Sequence, residues 1–307
     1  MVAASDAAVL HEPVLLDEAM GFLAPTSSGV YCDATVGMGG HAAAILERSS
    51  PHGRLVGIDR DEAALKLAGA RLARFGDRVR LVHARFGSLR TVLASAGAIP
   101  VDGCLVDLGV SSLHLDRPER GFSFRHEGPL DMRMDPSQGD TAADFLRGAD
   151  GTEIEAVLRD LGEERYARRI ASAIVAARGT SELATTSALA ALVARAVPSR
   201  ERNRDPATRT FQALRIAIND ELGELERLLA DAPGCLRPGG RLVVISFHSL
   251  EDRMVKRRLR ALASGPATAE PRLRLLTKHV VVAADAERER NPRSRSARLR
   301  AAERLPS

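Results

Sequence analysis

The chain has 307 residues, 45% of them hydrophobic and 27% charged, with a net charge of +4. These values are typical of a soluble globular protein with room for a catalytic domain and a further substructure. No apolar run approaches the ~20 residues of a membrane-spanning helix, and no Lys or Arg precedes Arg48, so we expect neither a membrane anchor nor a secretory signal peptide. Cys32, Cys104 and Cys235 form no CxxC pair and are expected to be buried free thiols of a cytoplasmic protein.

The first third of the chain alternates short apolar strands with helical segments. A glycine turn and an alanine-rich helix follow the first strand, and helices also follow the second and the third. The predicted strands are 29–35, 53–59, 78–86 and 101–109. This alternation predicts an α/β fold with a parallel, doubly wound sheet.

The alternation stops at residues 116–140, which are rich in Gly and Pro and show no hydrophobic period. A loop of this length in a compact protein is usually functional or disordered. Helical patterns follow, with one apolar stripe between Ile154 and Leu161 and another that runs from Phe211 to Leu225. The sheet pattern resumes only at residues 238–247.

These patterns predict two domains. Residues 1–115 and 213–307 are expected to form one discontinuous α/β domain, and residues 116–212 a helical domain inserted into it. The tail after Asn291 is rich in Arg and Ser, has little apolar content and is predicted to be an extended arm. Basic residues are concentrated in this tail and in the segment 253–260, which favours a nucleic-acid-binding face.

Candidate ligand contacts fall at the carboxyl ends of the first three strands, where open parallel sheets bind their ligands. Gly39, Gly40 and His41 open the first helix after the glycine turn. Asp59 ends the second strand, 20 residues after Gly39, and an acid at this spacing can accept both ribose hydroxyls of an adenosine. Phe86 ends the third strand, where its ring can lie on an adenine.

These residues predict an adenosine-containing cofactor and leave both NAD and S-adenosylmethionine open. Asp107, at the end of the fourth strand, favours S-adenosylmethionine, because a carboxylate there suits a sulfonium or an amine acceptor. No hydride-transfer partner is evident. An NAD-dependent oxidoreductase and an RNA-binding protein with a vestigial pocket are the two alternative hypotheses.

The sequence resembles the MraW/RsmH family of bacterial S-adenosylmethionine-dependent methyltransferases. The matching segments keep their order and cover nearly the whole chain. They are HEPVLLDEA (11–19), DATVGMGGH (33–41), IDRD (58–61), DLGVSS (107–112), RGFSF (120–124), GPLDMRMD (128–135), GEERYARRIA (162–171), PATRTFQALRI (206–216), PGGRLVVISFHSLEDR (238–253) and NPRSRSARLR (291–300).

This resemblance implies a Rossmann-like methyltransferase domain with an inserted helical domain. It implies methylation of the exocyclic N4 of a cytidine in the decoding region of 16S ribosomal RNA, with the small ribosomal subunit as partner. It does not distinguish a monomer from a homodimer.

The resemblance also implies roles for individual residues. Asp59 is expected at the ribose, Phe86 at the adenine and Asp107 close to the bound cofactor, while the methionine end is expected to meet Gly39, Gly40 and His41. His114 stands where the family pattern SSxQLD has Gln, so this last cofactor contact is expected to differ in reach and pH dependence.

Methylation of N4 requires a group that accepts an N4–H hydrogen bond and stabilises the developing positive charge. Asp107 is the predicted acceptor. His248 is expected beside it if the fourth and fifth strands are neighbours, and it either orients the base or accepts a proton, or makes only a buried structural hydrogen bond. Methylation of C5 is disfavoured because it needs a cysteine nucleophile in the cleft, and Cys104 lies inside a strand.

Further residues are candidates for contact with RNA. Phe122 and Phe124 are predicted either to stack on an extruded base or to pack within the loop. Phosphate contacts are expected from the 253–260 segment, the tail and a set of arginines in the insertion, Arg200, Arg202, Arg204 and Arg209. No metal site is predicted, because Asp131 and Asp135 are expected to be solvated or salt-bridged.

Overall fold

The computed structural model describes residues 12–179, 183–198, 205–264 and 273–306. The chain divides into a sheet unit, residues 1–109 and 223–307, and a helical unit, residues 110–222. The division therefore falls before the predicted Leu115 boundary and after the predicted Gln212 boundary. No helix within the described residues is long and apolar enough to cross a membrane.

The described part of the sheet unit contains one seven-stranded sheet with the order β3-β2-β1-β4-β5-β7-β6. The strands are β1 (Val30–Asp33), β2 (Arg54–Asp59), β3 (Val79–His83), β4 (Val101–Asp107), β5 (Leu236–Ser246), β6 (Leu273–Leu275) and β7 (Arg298–Arg304). Strands β1 to β5 are parallel, and β7 runs antiparallel to both β5 and β6. The chain order reverses between β1 and β4, which is the switch point of a Rossmann-like α/β fold and confirms the predicted fold class.

Some helices connect the strands of the sheet unit, and others form the helical unit. They are α1 (Leu16–Leu23), α2 (Gly40–Arg48), α3 (Glu62–Leu72), α4 (Leu89–Ser95), α5 (Ser112–Leu115), α6 (Ala142–Gly148), α7 (Gly151–Gly162), α8 (Ala167–Ala176), α9 (Thr186–Ala196), α10 (Thr208–Asn219), α11 (Glu221–Cys235), α12 (Ser249–Ser264) and α13 (Asp285–Arg290). Helix α3 begins where Asp61 accepts hydrogen bonds from the N–H groups of Ala63 and Ala64, as an N-cap residue does.

Each face of the sheet carries its own apolar core, because successive side chains of a strand point to opposite faces. Tyr31 and Leu105 belong to one core cluster, whereas their neighbours Cys32 and Val106 belong to the other. Burial on both faces explains why β1, β2 and β4 are mostly apolar, whereas β3, at the edge of the sheet, is only partly buried.

The C-terminal tail is a strand of the sheet, so the prediction of an extended arm is wrong. β7 pairs with β5 from Arg241 opposite Glu303 to Ser246 opposite Arg298. Leu299 is fully buried, and the guanidinium group of Arg300 donates to both carboxylate oxygens of Asp252, at 2.7 and 3.1 Å. Arg298 and Arg300 thus find an acid within the fold, which the local composition did not indicate.

The helical unit buries the first predicted stripe on α7, where Ile154 and Leu158 are fully buried. The second stripe is not one helix: the chain turns at Asp220, whose φ of 49° ends α10 before α11 begins. Asp220, with its left-handed backbone conformation, is the single residue between the two helices. The spacing of the apolar residues therefore continues from α10 into α11.

The 116–140 loop is held by hydrogen bonds to its backbone. The Arg120 guanidinium group donates to the carbonyl oxygens of Arg133 and Met134, at 3.1 and 3.0 Å. Asn219, at the end of α10, donates to the Met132 carbonyl and accepts from the Met134 N–H, at 2.7 and 2.8 Å. Asp131 forms an ion pair with Arg133 at 2.8 Å. The loop therefore has a defined conformation within the helical unit.

Candidate functional site

Two positions of the turn between β1 and α2 require glycine, Gly39 because of its backbone conformation and Gly40 because a side chain would not fit. Gly39 is the N-cap of α2 with a φ of 78°, a left-handed conformation that favours glycine. A Cβ atom on Gly40 would lie 2.5 Å from Cγ of Pro13. The turn therefore brings the backbone at the start of α2 close to the segment that precedes α1.

The carboxylate of Asp59 fastens this turn to the end of β2. Its Oδ2 accepts the Gly37 N–H at 2.8 Å, and its Oδ1 accepts the Asp61 N–H at 2.9 Å. Each carboxylate oxygen can accept more than one hydrogen bond. The side chain is thus oriented by backbone donors and keeps acceptor capacity for a hydroxyl group.

Phe86 lies just after β3 and packs partly against one core of the sheet unit. The guanidinium carbon of Arg60 lies 5.7 Å from the centroid of its ring. Arg60 directly follows β2, so this contact links the carboxyl ends of two neighbouring strands.

Asp107 ends β4, the strand next to β1. Its N–H donates to Oγ1 of Thr35 at 2.7 Å, and its Oδ2 lies 3.6 Å from Nδ1 of His41. A quarter of the side chain is exposed, yet Oδ1 is buried and has no hydrogen-bond partner within the described residues. An acceptor atom in this state is costly unless a ligand supplies a donor.

Other acids surround Asp107. Burial, then the negative charges of Asp33 and Glu251, raises the pKa of Asp107 well above its usual value. Burial also raises the pKa of Asp33 to about 7, opposed by a hydrogen bond from the Thr35 N–H and aided by the charge of Asp59. A region with several partly desolvated carboxyl groups is suited to bind a cation.

The pKa of Asp33 predicts a specific effect on stability. The folded protein binds a proton at Asp33 more tightly than the unfolded chain, so this group destabilises the fold progressively from about pH 4 to pH 7 and fully above pH 7. Asp33→Asn is therefore expected to raise the free energy of unfolding at pH 8 by on the order of 3 kcal/mol. Urea unfolding at pH 8 and at pH 4 measures this difference, which should vanish at pH 4. An equal effect at both pH values would contradict it.

His248 is the N-cap residue of α12. Its Nδ1 accepts the Glu251 N–H at 3.4 Å, while Oε2 of Glu251 accepts the N–H groups of Phe247 and His248, at 2.8 and 3.2 Å. These reciprocal bonds form a capping box. The Nε2 atom lies 3.1 Å from Oε1 of Glu251, although the angle does not satisfy a hydrogen bond. This geometry gives His248 the structural role, and its catalytic role stays a prediction.

The neighbouring arrangement of β4 and β5 is confirmed, with Asp107 in register with Ile245. The Oγ of Ser246 is buried and donates to the Arg298 carbonyl at 3.3 Å. Ser246 therefore serves the pairing of β5 with β7.

His114, Phe122 and Phe124 belong to the helical unit. Nδ1 of His114 accepts the Ser111 N–H at 3.2 Å in a capping box at the start of α5. The ring centroids of His114 and Phe122 are 4.8 Å apart, and Phe124 packs edge-on against Phe211 at the same distance. Phe122 is buried, so it fits the packing alternative, and Phe124 is partly buried in the same core.

The basic residues differ in their exposure and in the ion pairs that they form. Arg300 and Arg298 of the tail form ion pairs with Asp252, and Arg290, just before the tail, forms one with Glu12, so all three have partners in the sheet unit. Exposed arginines lie on one face of α12, at Arg253, Arg257 and Arg260. The predicted phosphate contacts Arg200, Arg202 and Arg204 lie outside the described residues, and Arg209 is partly buried on α10.

All three cysteines are buried and free, as predicted. Burial raises the pKa of Cys235 to about 11, and the pKa of Cys32 is raised by a hydrogen bond with Cys104 and by burial. Cys32 and Cys235 therefore present no thiolate for nucleophilic catalysis.

Sequence reasoning missed Asp33, Thr35 and Glu251 as parts of the site. Two of them carried a usable signal. Asp33 is an acid directly between an apolar strand and a glycine turn, and Glu251 stands three residues after His248, the spacing of a capping box. Thr35 had none, because its hydroxyl reaches Asp107 only through the pairing of β1 with β4.

Comparison with known proteins places the chain in a family. The model of the MraW methylase family matches residues 8–305. Three similar proteins are each called ribosomal RNA small subunit methyltransferase H. That of Sorangium cellulosum is 54% identical over 96% of this chain and 91% of its own length, that of Geobacter sulfurreducens is 52% identical over 96% and 99%, and that of Trichlorobacter lovleyi is 50% identical over 96% and 98%. The chain therefore belongs to the MraW methylase family.

Proposed function

We propose that this protein transfers a methyl group from S-adenosylmethionine to the exocyclic N4 of a cytidine in the decoding region of 16S ribosomal RNA, in the cytoplasm. Membership of a methylase family and relatives named for the small ribosomal subunit support the reaction class and the RNA. The observation that carries the choice of an amine acceptor is Oδ1 of Asp107, a buried oxygen at the carboxyl end of β4 to which no donor in the described part of the chain bonds.

The residues at the strand ends fit the methyl donor. Asp59 has acceptor capacity for ribose hydroxyls, Phe86 offers a ring for the adenine, and the turn at Gly39 and Gly40 exposes backbone to the methionine end. The acids around Asp107 suit a positive charge. When bound, S-adenosylmethionine supplies a methyl group made electrophilic by its sulfonium. His114, in place of the expected Gln, is proposed as a further contact.

The chain's own groups would then act on the amine. The N4 lone pair of cytosine is delocalised into the ring, which makes it a poor nucleophile. Asp107 Oδ1 would accept an N4–H hydrogen bond, which localises that lone pair and stabilises the positive charge that develops on N4. His248 is proposed to orient the base through the rigid cap of α12.

The exposed face of α12 is a better candidate for contact with RNA phosphates than the C-terminal tail. Arg253, Arg257 and Arg260 follow the i, i+4, i+7 spacing of one helix face, while Val255 and Leu259 are buried on another. Arg298 and Arg300 of the tail are both engaged with the carboxylate of Asp252, so they are not proposed as phosphate contacts.

Arg257→Ala and Arg260→Ala are each expected to weaken binding to small subunits and to reduce the slope of log K against log salt by about one. Binding measured across a salt series gives this slope. Arg147→Ala, an exposed arginine paired with Asp144, is the matched control and should leave the slope unchanged. Unchanged slopes for both α12 variants would refute this RNA face.

The function itself is tested by incubating the protein with S-adenosylmethionine carrying a labelled methyl group and small subunits that lack the modification. Nuclease digestion and mapping should place the label on N4 of one decoding-region cytidine. Label on C5 or on a ribose would refute the N4 assignment. Binding of the donor without incorporation would favour the RNA-binding alternative, and calorimetric binding of NAD in its place would favour the oxidoreductase.

A further inference from the structure

The tautomer of His41 is determined by its surroundings. The side chain is 6% exposed, and Nε2 lies 3.0 Å from the Val14 carbonyl oxygen. A carbonyl oxygen only accepts hydrogen bonds, so Nε2 carries the ring proton. Burial lowers the pKa of His41 to about 4, so the ring is neutral near pH 7 and Nδ1 presents a lone pair.

That lone pair faces Asp107. Nδ1 lies 3.6 Å from Oδ2, and both atoms are acceptors when the carboxyl group is ionised. Two acceptors in a poorly solvated place repel each other unless a proton lies between them. The distance is slightly long for a hydrogen bond, as is common for catalytic groups without their ligands. The raised pKa of Asp107 agrees with a retained proton.

We propose that His41 and Asp107 hold one proton as a pair, that this proton leaves when the positively charged methyl donor binds, and that the N4 proton of the cytosine replaces it during methyl transfer. The inference rests on the proposed function, because it assigns the base for that reaction. Asp107 touches the amine. His41 is a positioning residue, which acts through Oδ2 and leaves Oδ1 directed at the substrate.

The protons and electrons balance over one cycle. The N4 lone pair forms the bond to the methyl carbon, and the carbon–sulfur bond breaks with its electron pair left on sulfur. The N4–H bond then breaks, its electrons return to nitrogen, and the proton passes to the pair. The pair thus regains the proton that it lost when the donor bound, and the next donor molecule displaces it to solvent.

Other ionisable groups of the sheet unit act on this pair. Asp33 and Glu251 both raise the proton affinity of Asp107 through their negative charge. Asp33 is itself a possible source of a released proton, because its pKa is about 7. The number of protons released by Asp33→Asn therefore has to be compared with the number released by variants of Asp107 and His41.

Titration calorimetry in two buffers of different ionisation enthalpy counts the protons released on binding. At pH 7 the wild-type protein is expected to release up to one proton when S-adenosylmethionine binds. It should release close to none when S-adenosylhomocysteine binds, because the sulfur of that compound carries no charge. Asp107→Asn should release none with either compound. Asp33→Asn should keep most of the proton release, reduced only because Asp107 binds its proton less tightly without the neighbouring charge.

Two variants of His41 distinguish the contributions of its two ring nitrogens. His41→Gln places an amide N–H near the position of Nε2, keeping the bond to Val14, but removes the acceptor that faces Asp107. It is expected to lose most of the proton release, to lower kcat on the order of tenfold, and to move the acidic limb of the pH–rate profile to lower pH. His41→Asn places an amide oxygen near the position of Nδ1 and should restore part of the proton release.

Undiminished proton release in His41→Gln would overturn the pair, as would equal release with the two compounds or a loss of release only in Asp33→Asn. The proton count is made without RNA, so it is independent of the methylated atom. Donor binding with proton release but no methyl incorporation would reject the proposed function. N4 methylation without proton release would reject only the pair.

Discussion

Asp107→Ala is expected to reduce the rate of methyl transfer on the order of a thousandfold, the range found when a positioned acid–base group is removed. The variant lacks the oxygen that would accept the N4–H bond, and it removes the partner of His41. Single-turnover methylation at saturating S-adenosylmethionine and small subunits measures the effect on the chemical step. Asp107→Asn keeps the volume and one oxygen but cannot take up a proton, so it should lose nearly as much.

Asp102→Asn is the matched control for Asp107. Asp102 lies at the opposite end of β4, where it accepts the Val30 N–H at 2.8 Å and pairs with Arg237. It therefore tests whether the loss of any carboxylate on this strand impairs the enzyme. The Asp102 variant is expected to retain a wild-type rate per folded molecule. Full activity in Asp107→Ala would exclude Asp107 from the reaction.

The second large effect is expected from truncation after Ala297, which removes β7. This strand lies between β5 and β6, and its loss exposes the hydrogen-bonding edges of both. It also removes the buried Leu299 and leaves Asp252 without Arg300. Loss of one buried Leu side chain alone costs about 2–5 kcal/mol, against a total stability of about 5–15 kcal/mol for a domain. The truncated chain should therefore fail to fold cooperatively.

Thermal unfolding followed by circular dichroism, together with the soluble yield, measures this outcome. A chain that ends after Arg304 keeps the whole of β7 and is the control, expected to unfold like the full-length protein. An extended RNA-binding arm would behave differently, because its removal would leave the unfolding transition intact and weaken only RNA binding. A cooperative transition at the wild-type temperature in the shorter chain would contradict the role of β7.

The parallel part of the sheet and the position of the candidate site could be predicted from local sequence. Strands β1, β2, β4 and the second half of β5 are mostly apolar because both faces of the sheet are covered there, and such runs are visible without knowledge of the fold. Since the carboxyl ends of parallel strands lie along one edge, Asp59 and Asp107 could be assigned to that edge from their positions alone. The same reasoning selected Gly39 and Gly40 at the turn.

Long-range contacts determined the C-terminal strand and the partners of the titratable groups. The segment from Arg298 to Arg304 has no β-branched or aromatic residue and combines four charged residues with one Leu and two Ala, so its local pattern does not indicate a strand. It becomes one because it pairs with the edges of β5 and β6, and because Arg298 and Arg300 form ion pairs with Asp252. Likewise, the facing of His41 and Asp107, which are 66 positions apart in the chain, follows from the adjacency of β1 and β4. Hydrophobic periodicity and turn chemistry are short-range properties that the sequence alone displays, whereas the partners of charged and titratable groups are chosen by the packing of distant elements.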